Sequence, residues 1–191
     1  MKGCRALKNE EVILVTEALT NARDKCLFIL GVSTGFRISE LLSLKVKSVF
    51  ENGKSAIRAT VDKKNTKGKI ETRSVAINAR VQQAILELVL EDKLGPDDYL
   101  FGSRKGGAIS RKQAWRVLKD AYRLAELGGK VATHSMRKTL AQNVYRASGK
   151  DIIKTQLALG HKSLNSTTSY LGADQEDVDS CVLSIDVFKA S

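Results

Sequence analysis

The sequence predicts a mainly α-helical domain with a small antiparallel β-sheet. Apolar residues recur at helical spacing along most of the 191-residue chain, whereas "SAIRATV" and "TRSVAIN" are β-branched segments flanking the basic stretch "DKKNTKGKIE". The apolar fraction of 42% is enough for one core. We therefore expect one compact domain over residues 1–173, followed by an acidic, partly apolar tail over residues 174–191.

Three helices are expected at the N-terminal end. The segment "NEEVILVTEAL" begins with Asn9, a capping type of residue, and predicts a helix over about residues 9–20. The apolar segment "DKCLFILGVSTG" predicts a buried helix that ends at a Ser-Thr-Gly break, and "RISELLSL" starts the next helix immediately afterwards. Arg37 is therefore expected at a helix start, just beyond a glycine turn.

A basic hairpin and five helices are expected in the rest of the chain. The two β-branched segments form the hairpin, with "DKKNTKGKIE" at its tip. Asn78 and Ser110 are capping residues in front of two amphipathic helices, and a third helix runs from Thr133 to a stop at Gly149. The shorter segments "KDIIKTQLAL" and "NSTTSYL" predict the last two helices.

The composition favours a cytoplasmic protein that binds a polyanion. Lys and Arg number 32 against 21 Asp and Glu, for a net charge of +11, so nucleic acid is the first partner to expect. The three cysteines are widely spaced and never form a C-x-x-C pair, which fits reduced thiols. Since we find neither a long apolar run nor a secretion signal, we expect no membrane association.

The two histidines of the chain lie in short segments that also carry basic groups. His134 and Arg137 are three residues apart in a predicted helix, and Arg37 and Glu40 repeat that spacing. Each pair alone is more typical of a surface ion pair or a structural histidine. Together with His161 in "LGHKS", however, the arginines could neutralise the charge that builds on a phosphodiester during displacement. A tyrosine can be the nucleophile in such a reaction.

The segments "TGFRISELLSL", "THSMRKT" and "LGHKS", followed by Tyr170, resemble the signature of the catalytic domain of the tyrosine recombinase (phage integrase) family. The resemblance covers about residues 8–172. It implies that Arg37, Arg137 and His161 bind and polarise the scissile phosphate and that His134 assists proton transfer. It also implies that Tyr170 forms a 3′-phosphotyrosyl bond and releases a 5′-hydroxyl.

The same resemblance implies a general acid on the hairpin. Members of the family use a hairpin lysine to protonate the 5′-oxygen, and Lys67 is the best match, with Lys64 and Lys69 as alternatives. Glu40 matches the acidic residue that often follows the first arginine and is assigned a supporting role. Lys138 departs from the pattern, because the family commonly has histidine at that position.

Double-stranded DNA is the expected partner. The basic residues expected to contact it lie at the hairpin tip and in two later segments: Lys63, Lys64, Lys69, Arg104, Lys105, Arg111 and Lys112. We expect no cofactor and no metal ion, because we find no carboxylate cluster at metal-ligand spacing and the histidines are already assigned. The resemblance further implies a homotetramer on DNA and a monomer when free.

Some points stay open at this stage. Many family members carry an N-terminal helical domain that closes around DNA, and we expect none here. The chain could be an excised domain or one of the short recombinases of the kind that inverts fimbrial promoters. The tail, with the apolar residues Val178, Val182, Leu183, Ile185 and Val187, could dock on a neighbouring subunit or on its own domain.

Two alternative functions are compatible with the same motifs. A type IB topoisomerase also cleaves through a 3′-phosphotyrosine but works alone, and a non-catalytic DNA-binding regulator would keep the fold without the reaction. The other tyrosines, Tyr99, Tyr122 and Tyr145, lie in apolar contexts and are expected to be core aromatics. Trp115 could stack on a base but is expected to pack against the domain.

Overall fold

The computed structural model describes residues 3–66, 71–171, 179 and 182–185. The helices it shows there are α1 (Asn9–Ala18), α2 (Ala22–Thr34), α3 (Ile38–Leu42), α4 (Ala79–Glu91), α5 (Arg111–Leu124), α6 (Thr133–Ala147), α7 (Ile152–Leu159) and α8 (Leu164–Leu171). Two hairpins accompany them, formed by the strands β1 (Phe50–Glu51), β2 (Lys54–Ser55), β3 (Arg58–Val61) and β4 (Arg73–Ala76). The expected mainly α-helical fold with a small antiparallel sheet is confirmed.

Helix α2 runs through the centre of the domain. Its residues from Cys26 to Gly31 are all buried, and it packs against α4, α5 and α6 as well as its chain neighbours α1 and α3. Gly31 allows α6 to approach closely, because a Cβ at this position would lie 2.6 Å from the sulfur of Met136. The close crossing of α2 and α6 brings the end of α2 beside the residues of α6 that face the core.

The basic hairpin is formed by β3 and β4 in an antiparallel register. Val61 pairs with Arg73 at the tip end of the ladder. The hydroxyl of Thr66 donates to the carbonyl of Glu71 across the base of the tip, at 2.9 Å. The tip itself, residues 67–70, lies outside the described residues, so the structure does not place Lys67 or Lys69.

The last three described helices of the domain, α6, α7 and α8, pack against one another at one corner. Asp151 caps α7, its carboxylate accepting from the backbone N–H of Lys154 at 2.9 Å. Gly160 ends α7 in the left-handed conformation, with φ 61°. This sharp stop turns the chain so that α8 returns across the ends of α6 and α7.

Three details differ from the sequence-based expectations. The hairpin of β1 and β2 was not predicted, because strands of two residues are too short for an alternation pattern. Asn9 lies inside α1 and Lys8 is the N-cap residue, since the carboxylate of Glu11 accepts from the Lys8 backbone N–H at 2.8 Å. Trp115 is 44% exposed rather than packed in the core.

Other expectations for single residues have mixed outcomes. Tyr122 is buried, as expected, and donates to the carbonyl of Ala132, whereas Tyr99 is exposed. The tail lies mostly outside the described residues, including Val178 and Val187. Nowhere in the described part of the chain is there a helix of the length and apolarity that spanning a membrane requires.

Candidate active site

Arg37 lies in the turn between α2 and α3, where a buried carboxylate fixes its guanidinium. The turn begins at Gly35, which adopts the left-handed conformation with φ 56°, and Arg37 is the N-cap residue of α3. Glu40, only 1% exposed, accepts from the Arg37 backbone N–H at 2.7 Å and from its Nη1 at 2.8 Å. The Arg37 side chain is 27% exposed and lines an open cleft, so its other donors can reach a ligand.

Arg137, on α6, is buried and joins the ends of two other helices. Its Nη1 donates to the carbonyl of Gly35 at the end of α2, and its Nη2 donates to the carbonyl of Leu159 at the end of α7, at 2.6 Å. Its Nε is buried and finds no hydrogen-bond partner among the described residues. A buried N–H without an acceptor is costly, which makes this donor a candidate for binding a ligand oxygen.

His134 lies one turn before Arg137 on α6 and is exposed as a residue. Partial burial of its imidazole lowers the pKa of His134 from the ordinary 6.5, and the charges of Arg137, Arg37 and Lys138 lower it further. All three charges act in the same direction, so the lowered pKa follows from the arrangement of cations as well as from burial. The imidazole is therefore neutral at neutral pH.

His161 follows the left-handed Gly160 directly and is held from two sides. Its backbone N–H donates to the Gln156 carbonyl at 3.1 Å, and its own carbonyl accepts from the Gln156 amide at 2.9 Å. Its Nδ1 lies 3.0 Å from the hydroxyl of Thr167, a residue of α8 with no exposed surface. Contacts to both the backbone and the ring fix the orientation of the imidazole.

Tyr170, on α8, lies against His161. The two ring centroids are 5.1 Å apart and the rings meet edge-on at 71°. Lys138 places its Nζ 5.8 Å from the centroid of the Tyr170 ring. The phenol also acts on Arg137: burial and Arg37 lower the pKa of that guanidinium, and Tyr170 partly opposes the change.

The structure brings together all five side chains that the sequence singled out, Arg37, His134, Arg137, His161 and Tyr170. The residues that line the adjoining cleft include Arg37, Thr66, Glu71, Arg73, Gly160 and His161. Thr66 and Glu71 are the described residues on either side of the hairpin tip, and both line this cleft. The arrangement can bind an anion the size of a phosphate next to a phenol.

Sequence reasoning missed Arg73, a half-buried arginine of β4 that also contacts Glu40. Its Nη1 donates to the second carboxylate oxygen of Glu40 at 3.2 Å. In the sequence, Arg73 is one of several basic residues around a hairpin tip, and such residues are typical of a solvated surface. A basic residue aligned with an inward-facing strand position was the available signal, and it is a weak one.

The other basic residues predicted to contact DNA are exposed wherever the structure describes them. Lys63 and Lys64 lie in a short 3₁₀ turn before the tip, Arg104 and Lys105 in the loop before α5, and Arg111 with Lys112 in the first turn of α5. Lys64 lines a different groove, together with Lys45 and Tyr99, and not the cleft of Arg37. Trp115 extends the exposed basic surface of α5, with Lys119 Nζ 4.9 Å from its ring centroid.

Known proteins share this sequence and this fold. The probable integrase/recombinase YoeC of Bacillus subtilis (strain 168) is 36% identical over 157 residues, which are 82% of this chain and 81% of YoeC. The tyrosine recombinase XerD of Corynebacterium glutamicum is 31% identical over 176 residues, which are 86% of this chain and 55% of XerD. This chain therefore spans most of YoeC and about half of XerD.

A solved structure and a family model agree with these relatives. The crystal structure of XerH site-specific recombinase bound to difH substrate, a pre-cleavage complex, superposes with a TM-score of 0.74 at 29% identity, covering 97% of this chain and 55% of that one. The model of the phage integrase family matches residues 5–177, which include every described element from α1 to α8. The chain thus belongs to the phage integrase family and has the fold of the tyrosine recombinase catalytic domain.

Proposed function

We propose that this chain cleaves and rejoins DNA at specific sites through a covalent 3′-phosphotyrosyl bond on Tyr170. The observation that carries the proposal is the contact between the Tyr170 and His161 rings beside Arg137, whose buried Nε has no acceptor in the described part of the chain. The only carboxylate described in contact with this arginine cluster is Glu40, so the pocket is electropositive. A phosphodiester would balance that charge.

The reaction follows from these positions. The phenol oxygen of Tyr170 attacks the phosphorus in line, an Oη–P bond forms to the 3′-phosphate, and the bond from phosphorus to the 5′-oxygen breaks. Arg37, Arg137 and His161 stabilise the charge that builds on the non-bridging oxygens. His134 accepts the phenol proton, because its lowered pKa keeps the imidazole neutral. Rejoining is the reverse reaction, with a 5′-hydroxyl as the attacking group.

The leaving 5′-oxygen needs a proton, and we assign its source to Lys67. This lysine lies outside the described residues, but Thr66 precedes it and lines the cleft beside Arg37 and His161. Glu71, on the other side of the tip, lines the same cleft. Lys69 also belongs to the tip in the sequence and stays an alternative. Lys64 lines the other groove and is the weaker candidate.

Double-stranded DNA is the proposed partner, bound through basic residues of the hairpin, the loop before α5 and the first turn of α5. These residues are Lys63, Lys64, Lys69, Arg104, Lys105, Arg111 and Lys112, and all except Lys69, which lies outside the described residues, are exposed. Contacts of this kind position the protein on the phosphate backbone and make binding strongly dependent on salt. No step of the proposed reaction needs a metal ion or a cofactor.

We further propose that the protein is a monomer when free and a homotetramer on DNA. Support comes from three apolar tail residues that remain exposed: Val182 at 62%, Leu183 at 86% and Ile185 at 66%. Side chains of this type are stabilised when a partner surface buries them. A neighbouring subunit on the same DNA would supply that surface.

A nicked duplex taken from DNA that flanks the gene tests the proposed function. Cleavage near the nick releases a short strand, which traps the protein on DNA as an adduct resistant to denaturant. Tyr170→Phe must abolish the adduct, and Tyr145→Phe, at a half-buried position of α6, must not. Relaxation of supercoiled plasmids without a specific site would instead favour a topoisomerase. Site-specific binding without any adduct would favour a non-catalytic regulator.

A further inference from the structure

Arg73 connects three segments of the site through one guanidinium. Its Nη1 donates to Glu40 Oε2 at 3.2 Å and to the Gly35 carbonyl at 3.4 Å. Its Nη2 donates to the carbonyls of Thr34 at 3.0 Å and Ala158 at 2.9 Å. The guanidinium thus bonds the end of α2, the carboxylate that holds Arg37, and the end of α7, just before Gly160 and His161.

Arg73 and Arg137 bind consecutive carbonyls at the same two helix ends. Arg73 donates to the carbonyls of Thr34 and Ala158, and Arg137 donates to the carbonyl of Leu159. Both arginines also donate to the carbonyl of Gly35. The C-terminal end of a helix carries partial negative charge, so two helix ends that converge can stabilise two guanidinium groups side by side. This explains how two arginines are tolerated close together with little exposure.

The Nη groups of Arg73 donate to protein acceptors rather than to a ligand. An arginine has five N–H donors, and the four on its Nη atoms match the four protein acceptors. Gly160 lies close to Nε, since a Cβ there would lie 3.2 Å from that atom, and Arg73 lines the cleft next to Arg37. Arg73 also stacks on the Phe36 ring, with Cζ 4.7 Å from its centroid. Arg37, by contrast, lines the cleft and uses only Nη1 in the side-chain hydrogen bonds of the described residues.

We propose that Arg73 is a positioning residue for DNA cleavage: it holds Arg37, through Glu40 and the Gly35 turn, at a set distance from His161. The inference rests on the proposed function of the same site. Arg73 belongs to β4, the strand that leaves the hairpin tip, so the same contacts also fix the hairpin against the phosphate-binding groups. Burial and the neighbouring Arg137 lower the pKa of Arg73 to about 10, so it stays charged at neutral pH.

Single-turnover cleavage of the nicked duplex, with protein in excess, measures the effect. Arg73→Lys keeps the charge but cannot reach four acceptors, and Arg73→Gln removes the charge. Each should slow cleavage by about tenfold to a hundredfold, the effect typical of losing a group that orients a reactive residue. DNA affinity, measured separately, should change little, because the Nη donors of Arg73 are directed at protein acceptors.

Arg58→Gln is the matched control. Arg58 is an exposed arginine of β3, the strand paired with β4. Among the described residues, its side chain donates only to Ser74, through Nε at 3.0 Å and Nη2 at 2.9 Å. With protein in excess, this variant should cleave at the wild-type rate. Thermal unfolding of all three variants identifies any that fails to fold, and Arg73→Lys is the variant expected to remain folded.

A double-mutant cycle separates positioning from a general structural role. If Arg73 acts through Arg37, then Arg73→Gln should cost little further activity in an Arg37→Ala background. If the rate reductions of the two single variants multiply in the double variant, Arg73 acts independently of Arg37, and the proposal is overturned. Wild-type cleavage rates in both Arg73 variants would overturn it as well.

A substrate with sulfur in place of the 5′-bridging oxygen distinguishes a displaced Arg37 from a displaced general acid. A thiolate leaves without a proton, so this substrate restores cleavage in a protein whose acid is misplaced. It should not restore Arg73→Gln to the wild-type rate, and full restoration would contradict the proposal. If the wild-type protein forms no adduct, the proposed function itself fails. Adduct formation unaffected by Arg73 variants rejects only the inference about Arg73.

Discussion

The hydroxyl of Thr167 lies 3.0 Å from Nδ1 of His161 and links the helix that carries Tyr170 to the turn that ends α7. Thr167 has no exposed surface, so water does not compete for this contact. The contact involves Nδ1 of a histidine that also lines the cleft beside Arg37. The position of His161 and the position of the helix that carries Tyr170 are therefore linked by one hydrogen bond.

Replacing Thr167 with valine should slow cleavage without preventing DNA binding. Valine has nearly the same shape but leaves Nδ1 without its partner, so the imidazole can rotate and its preferred protonated nitrogen is no longer fixed. We expect a loss of about tenfold or more in the single-turnover rate, by analogy with other groups that orient a histidine. Thr168→Val is the control, because the hydroxyl of the exposed Thr168 donates to the Asn165 carbonyl within α8 and not to His161. Equal rates in the two variants would contradict this role.

The lowered pKa of His134 should be visible in solution. Burial, Arg137, Arg37 and Lys138 disfavour the imidazolium in the folded protein, so the unfolded chain binds this proton more tightly. Stability should therefore fall as the pH decreases through the ordinary value of 6.5, and His134→Gln should lose this part of the pH dependence. Chemical unfolding across that pH range measures it.

An NMR titration of the same group gives a second readout. The pKa of His134 should lie below 6.5 in the free protein and rise when DNA binds, because a phosphate beside the imidazole favours its charged form. His134→Gln assigns the signals, since the chain has only two histidines. A pKa at or above the ordinary value in the free protein would be inconsistent with the cation cluster around this residue.

Alanine variants of Arg37 and Arg137 should differ in their free energy of unfolding, although both arginines are proposed to bind the phosphate. Arg137→Ala leaves the Leu159 carbonyl without this donor and removes one of the two arginine donors to the Gly35 carbonyl, so it should lower the free energy of unfolding by about 1–3 kcal/mol. Arg37→Ala should have a much smaller effect, because Glu40 keeps its bond to Arg73. Urea unfolding compares the two variants.

Cleavage should nevertheless be strongly reduced in both arginine variants. Removing a donor that stabilises developing charge costs about a hundredfold or more in rate. For Arg37→Ala this loss should occur in a protein that is folded and binds DNA normally. If Arg37→Ala instead lost binding and cleavage in equal measure, its proposed role in the transition state would be wrong.

The sequence was sufficient to predict the order of helices and the grouping of five side chains. Glycine breaks and capping residues mark the helix ends, and Arg37 and His161 each lie within two residues of such a glycine. Arg73 was not predicted, because its role depends on carbonyls from two helices that are far from it in sequence. Its neighbours in the chain are polar, and only the tertiary packing shows that its guanidinium points inward.

The two glycines Gly160 and Gly149 allow the role of Arg73 to be tested without changing an arginine. Both adopt the left-handed conformation, with φ 61° and 70°. An added Cβ would lie 3.2 Å from Arg73 Nε at Gly160 but would meet nothing within 4 Å at Gly149. Alanine should therefore cost a similar backbone strain at both positions, about 1 kcal/mol of unfolding free energy.

Only Gly160→Ala should slow cleavage, because only there does the new methyl group displace the Arg73 guanidinium from its four acceptors. The two variants should show comparable decreases in melting temperature but different single-turnover cleavage rates. Since the guanidinium is held by bonds to two helix ends and Glu40, even a small displacement must lengthen several of these bonds at once. Equal cleavage rates would mean that the site tolerates such a shift, and that Arg73 stabilises the fold without setting the geometry of the reaction.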